Sequence, residues 1–346
     1  MPGFFSWISE MFSPSRSVPM DSSPRLLNPA SKQNEDETVD QQSTRNLEQY
    51  LFCWLLDTPP SMLNKELDSN AQSVMAILEQ RIYKQSLQEL PRQPMTLPML
   101  TRALADEKTD RKDLAEIILS DPALTDQLLH VANSPLFRAN DKRIDSVDQA
   151  IFMLGMNGIR NVISAAVMRP MMAARNSREA LFAQRVWRWG LTCARAAELV
   201  AGLREKDTSV YFMVGLLPAL SYITLWRELQ RICRAAPQPI EPSADLTYQA
   251  LSRFQWTTAR VLANEWNLAP EYHARLMEAE RPTPSQTHAP LTDGIIIGTR
   301  EILRHAHQKN MAEEDMLKLV HIPPEQFVRI RRMILDSIEA GSKVRA

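Results

Sequence analysis

The sequence predicts an all-α protein, and three observations carry that prediction. Apolar residues recur at helical spacings of three and four from Leu47 almost to the end of the chain. Glycine is scarce and proline plentiful, 9 against 23, so long helix-permissive segments are punctuated by prolines. No segment shows sustained period-two alternation closed by hairpin turns, and no repeat of solenoid length is present. With 346 residues, 44% of them hydrophobic, the chain can bury a substantial core as one large or two modest domains.

Taken in order, the chain opens with "MPGFFSWISEMFS", which lacks the basic start, long apolar region and cleavage site of a signal peptide. Phe4, Phe5, Trp7, Ile8, Met11 and Phe12 nevertheless gather on one side at helical spacing. This tip reads as a docking element for a partner groove or as a frayed terminus. A membrane surface is the weaker reading of residues 4–12, because no Lys or Arg precedes Arg16. Residues 13–45 are rich in Ser, Pro, Asn, Gln and acids and read as a disordered linker, so tip and linker together occupy 1–45.

"LEQYLFCWLLD" and "AQSVMAILEQRIYKQSLQEL" predict two amphipathic helices parted by a turn at Pro59-Pro60, a small unit over 46–92. Beyond Leu97 every segment reads helical. "KDLAEIILS" stops at Ser120, and Asp121-Pro122 restarts a helix as cap and first-turn proline. Ser146 and Gln149 have capping-box spacing, and Gly155 is expected to close that helix. A long helix is expected from about Arg178 to Gly202. The apolar segment around Pro218 follows, then helices over "DLTYQALSRFQWTTARVLANEWNLA", "PEYHARLMEAE" and "TDGIIIGTREILRHAHQK", and a last one from Pro324. The expected division is a main domain over 93–285 with C-terminal helices over 286–346 packing on it.

Composition excludes some functions. The formal net charge of −1 gives no electrostatic reason to expect nucleic acid or an anionic membrane as main partner. Cys53, Cys193 and Cys233 are far apart and lie in apolar-periodic segments. They read as core residues of a reduced compartment, hence a cytoplasmic chain without disulfides or a zinc site. No run of about 18 uncharged apolar residues is evident, so no transmembrane span is expected.

At "LPML", "IILSDPALTDQLLHVANS" and "SVDQAIFMLG…IRNV" the pattern becomes specific, and it continues more weakly through "VWRWGLTCA", "GLLPALS" and "NEWNLAPE". From about Leu97 to Arg281 the chain resembles the HDOD domain, a bacterial all-helical signalling module distantly related to HD-type metal-dependent phosphohydrolases. The resemblance implies a helical bundle serving as an output or adaptor part of a signalling system. It also implies where metal ligands of the related enzymes would fall: a His at Trp189, a His-Asp pair at Pro218 and Ala219, and looser equivalents near Gln255 and Glu280-Arg281.

A catalytic metal takes about three His, Asp, Glu or Cys ligands. Indole only donates, and proline and alanine side chains offer no donor or acceptor, so the positions Trp189, Pro218 and Ala219 are vestigial. Trp189 shares a helix face with Phe182, Val186, Cys193, Ala196, Ala197 and Val200. It is therefore expected to point inward and fill the former metal space. Pro218 is expected to break or kink its helix and free the Val214 carbonyl.

Other candidates are weaker. His305 and His307 point to different faces, and His130 reads as a satisfied histidine rather than a ligand. His273 has no partner one turn away, and His288 and His321 stand beside prolines in loops. Arg169, Arg175, Arg178, Arg185, Arg188 and Arg195 form either an anion-binding face or a solvated one paired with Glu179 and Glu198.

Together these readings predict a non-catalytic signalling adaptor that binds a protein, with no cofactor and no metal. One alternative is a nucleotide or cyclic-dinucleotide sensor using the former cleft through Arg185, Arg188, Gln255 and Arg281. The last is a residual phosphohydrolase.

Overall fold

A computed structural model describes residues 35–63, 66–93, 97–105, 111–134, 137, 143–236, 239–280 and 288–339. The tip residues Phe4, Phe5, Trp7, Ile8 and Phe12, and also Arg281, lie outside them. Within them the chain is all-α: α1 (Glu35–Leu56), a 3-10 turn (Pro60–Met62), α2 (Ser69–Tyr83), α3 (Leu97–Ala105), α4 (Arg111–Leu119), α5 (Pro122–Ala132), α6 (Val147–Met172), α7 (Ser177–Leu203), α8 (Thr208–Ala235), α9 (Ala244–Glu265), α10 (Pro270–Glu280), α11 (Pro290–His305), α12 (Glu313–Val320) and α13 (Pro324–Glu339).

The N-termini follow their capping residues. Asp68 accepts from the Ala71 amide at 2.8 Å, Asp121 from Ala123 and Leu124, Asn176 from Glu179, and Ser243 from Leu246. Ser146 caps α6 through the Gln149 amide, but Gln149 Oε1 accepts from the amide of Asp145 at 2.9 Å. The expected box therefore closes one residue early. Gly155 interrupts α6 rather than ending it: at φ 66° and ψ 179° it joins two helical stretches, a geometry that disfavours any side chain.

The expectations also differ from the structure elsewhere. Helix α1 begins at Glu35, inside the expected linker. Residues 35–45 hold no proline and open with acids that suit a helix N-terminus, and Thr44, Leu47 and Glu48 are buried. Helix α2 ends at Tyr83 rather than near Leu90, because Gln85 adopts a left-handed conformation (φ 52°) and the Ser86 amide returns to the Arg81 carbonyl at 2.8 Å. Helix α12 was unexpected; its acidic first turn and the buried Met316, Leu319 and Val320 make it a helix in retrospect. Pro218 lies inside α8 without breaking it, for residues 210–225 are all buried and neighbours on every side hold the helix together.

Helix α7 is the centre, with α8 against one side and α11 against another. Small residues allow both approaches. A β-carbon on Gly215 of α8 would stand 2.6 Å from Ala194 Cα, and one on Gly298 of α11 would stand 2.6 Å from Cys193 Cα. Gly294 meets the Ala197 backbone in the same manner. Around this trio, α6 and α9 cover α8, α1 touches α7 and α11, and α2 packs on α8 and α9. A single apolar core runs from Leu47 to Ile334, so the expected 46–92 and 286–346 units share it with the main domain.

By length and hydropathy the stretch Val210–Ala235 does qualify as a membrane span, contrary to the expectation that none would. Its apolar surface is spent on the other helices, since nearly all of it is buried in the bundle.

Candidate functional site

The positions singled out on α7 and α8 do come together. Trp189 is fully buried, donates from Nε1 to Thr299 Oγ1 of α11 at 2.9 Å, and stacks on Tyr222 of α8 with centroids 5.0 Å apart. Pro218 and Ala219 are buried on α8. Beside Trp189, a β-carbon on Gly190 would stand 2.5 Å from Ala219 Cβ, so the helices close on each other at this level.

These residues do not fit a metal. The indole's single donor is already used, and the nearby Cys193 thiol is pushed far up by burial, so it offers no thiolate. Among the described residues no group of three or more His, Cys, Asp or Glu side chains is placed to hold a metal ion.

The described members of the expected ligand set stand in different surroundings. Arg185 donates to Asp57 Oδ1 at 3.0 Å and to the Trp54 carbonyl, and its guanidinium lies 5.7 Å from the Trp54 ring, fastening the end of α1 to α7. Arg188 is exposed on α7, whereas Gln255 is fully buried on α9. Of the remaining arginines, Arg175 pairs with Glu89, Arg178 with Glu241 and Arg195 with Glu198. The pairing with Glu179 is made by Arg227 of α8 instead.

Two features escaped sequence reasoning. His288 and His321, each in its own loop, face one another with their Nδ1 atoms 3.4 Å apart. Burial, His321 and Arg204 push the His288 imidazole down to about 4. Arg204 also contacts Asp293, whose carboxyl burial pushes up to about 7 against the pull of Arg204 and Lys206. By contrast His130, expected as a satisfied histidine, is exposed near the end of α5.

The other is a groove of about 930 Å³ between α1, α2 and α9. Arg45, Gln49, Gln72, Tyr248, Gln249 and Ser252 line it, and the buried Ser252 hydroxyl has no partner among the described residues. Its lining comes from segments nearly two hundred residues apart, so no local pattern announces it. An aromatic series connects it to Trp189: Tyr248 lies 4.9 Å from Phe52, Phe52 lies 5.5 Å from Tyr222, and Tyr222 stacks on Trp189.

A family model described as HDOD domain matches residues 90–282. No curated protein matches the chain. Among solved structures, the chain is similar to a candidate metal-dependent phosphohydrolase from Shewanella amazonensis SB2B, with a TM-score of 0.57 and 19% identity over 78% of this chain and 99% of that one. It is also similar to an HDOD domain protein of unknown function from Geobacter sulfurreducens, with a TM-score of 0.51 and 18% identity over 79% of this chain and 94% of that one. A candidate phosphohydrolase from the same Shewanella gives a TM-score of 0.55 and 16% identity over 77% of this chain and 97% of that one. At these identities the likeness is one of fold.

Proposed function

The chain belongs to the HDOD domain family, and from that premise we propose that it is a non-catalytic signalling adaptor that works by binding another protein. The observation that carries this reading is the chemistry at the former metal position. Trp189, Pro218 and Ala219 offer no ligand atom, and Gly190 and Ala219 leave no room between their helices. Restoring a ligand would require changes on both helices at once.

The groove between α1, α2 and α9 is the favoured binding face. Two of its three walls, α1 and α2, precede the family-matched residues and add a surface to the domain. Side-chain amides present a donor and an acceptor together, the pattern that an extended peptide segment also presents. The apolar tip, Phe4 to Phe12, supplies a second docking element in this reading. As a protein of a reduced compartment, the adaptor works in the cytoplasm.

The test is site-specific photocrosslinking in the native host, with the reactive group at Gln72 in the groove and, as control, at the exposed Arg329. A discrete adduct from Gln72 and none from Arg329 supports the adaptor. Equal, diffuse labelling from both positions, or metal-dependent hydrolysis of a phosphate ester by the purified chain, overturns it.

A further inference from the structure

We propose that a second hollow, at the meeting of the α7 N-terminus and the C-terminal half of α8, binds a small organic phosphate carrying a flat ring, a nucleoside monophosphate in chemical class. It encloses about 270 Å³, close to the roughly 300 Å³ at which small-ligand sites begin, and too little for a polymer. This inference is independent of the adaptor reading and lies away from the former metal position.

Charge is the first argument. Five arginines, Arg175, Arg178, Arg227, Arg231 and Arg234, line the hollow against two carboxylates, Glu89 and Glu179, in a chain whose net charge is −1. Arg227 is committed to the fold: it donates to Glu179 at 2.7 Å and to the carbonyls of Met171 and Ala173, both at 2.8 Å. Arg175 and Arg231 share Glu89, at 2.5 and 3.3 Å. Burial alone would raise the Glu89 carboxyl, yet the hydrogen bonds and charges of these two arginines hold it below its ordinary value. The hollow thus already favours one anionic group.

Free donors are the second. Among the described residues Arg178 is engaged only by Glu241, and both side chains are largely exposed, so that pair is weak and readily exchanged. Arg234 is exposed and has no partner among the described residues. With Arg231, whose bond to Glu89 is long, these arginines can fork onto phosphate oxygens.

Trp226 is the third. It also lines the hollow, half-buried, and is braced by stacking on Phe182 with centroids 4.4 Å apart and an interplanar angle of 20°. A braced indole beside guanidinium groups suits a planar base attached to a phosphate.

The experiment uses the full chain, with AMP and GMP as probes and adenosine, inorganic phosphate and a phosphoserine peptide as comparators. Calorimetry and tryptophan fluorescence are the readouts. The expected result is saturable binding of a nucleoside monophosphate with a fluorescence change that Trp226→Phe abolishes. Arg231→Gln with Arg234→Gln should weaken it by about tenfold or more at unchanged melting temperature. Adenosine and phosphate should each bind at least about tenfold more weakly. Inorganic phosphate binding as tightly as AMP, the peptide binding more tightly than either nucleotide, binding indifferent to the arginine changes, or no binding of either nucleotide would each overturn the proposal.

Discussion

Gly190 on α7 faces Ala219 on α8 so closely that a β-carbon added to the glycine would stand 2.5 Å from the alanine's own. The contact adjoins Trp189 on one helix and Pro218 on the other. Gly190→Ala is therefore expected to destabilise the protein by about 1–3 kcal/mol through overpacking. Gly298→Ala, which meets the Cys193 backbone instead of a methyl group, should cost at least as much. Urea denaturation of both variants against the parent measures this; an unchanged midpoint would show that the helices separate easily.

Glu228 ties the small N-terminal unit to the bundle. Its fully buried carboxylate accepts from Arg81 at 2.5 Å and from the amides of Gln88 and Glu89, both at 2.9 Å. Glu228→Ala leaves a guanidinium and two amides without their acceptor and should cost about 3–5 kcal/mol. Early proteolytic cleavage between Lys84 and Arg92 should accompany the loss, while Glu228→Gln keeps an acceptor and shows a smaller effect.

The His288–His321 contact and Asp293 make opposite contributions to the pH dependence. His288 falls from its ordinary 6.5 to about 4, so its contribution is present above about 6.5 and is lost as pH falls towards 4. Asp293 rises from 3.8 to about 7, so its contribution is present below 3.8 and is lost as pH rises through 7. Between pH 4 and 6.5 the two nearly cancel. His288→Gln should unmask the carboxyl, giving a melting temperature that rises on acidification from pH 7 to 4.5, and Asp293→Asn should give the reverse slope. Parallel melting profiles for all three proteins would refute this assignment.

Helix ends offer a gain. Asp57, Gln85, Glu205, Asn267 and His307 all sit at positive φ just beyond a helix, where glycine is the usual residue. Each closes the same pattern; after α7, for example, the Lys206 amide reaches the Ala201 carbonyl at 3.0 Å. Glu205 is exposed at φ 54°, so Glu205→Gly should stabilise the fold by about 0.5–1 kcal/mol, seen as a raised melting temperature.

Those same caps explain what the sequence could and could not disclose. The starts of α5 and α6 were legible because Asp121 and Ser146 are residues whose side chains cap, and they do so here. Helix ends were less so: those of α1, α4 and α7 fall within about a residue of the expected places, but the expected α2, α9 and α11 run too far, because Gln85, Asn267 and His307 stand where a glycine would have marked the stop. The inward Trp189 was legible from its helical face, but its partner Thr299 lies 110 residues away. The continuity of α8 through Pro218 was hidden for a related reason. A helix buried on every side shows no amphipathic stripe, and only its neighbours reveal why the proline is tolerated. The groove and the arginine hollow are tertiary assemblies that no single segment encodes.

Helix α11 starts at Pro290, eight residues past the last one matched by the family model, yet it is buried along nearly its whole length and closes on the glycine-sized spaces beside Cys193 and Ala197. The stretch that homology outlines is thus narrower than the stretch that folds. An expression fragment cut at 282 would leave α7 bare along one side and invite aggregation. Domain swaps between relatives should carry the chain through α11 at the least, with the graft's outer limits drawn by packing instead of by alignment.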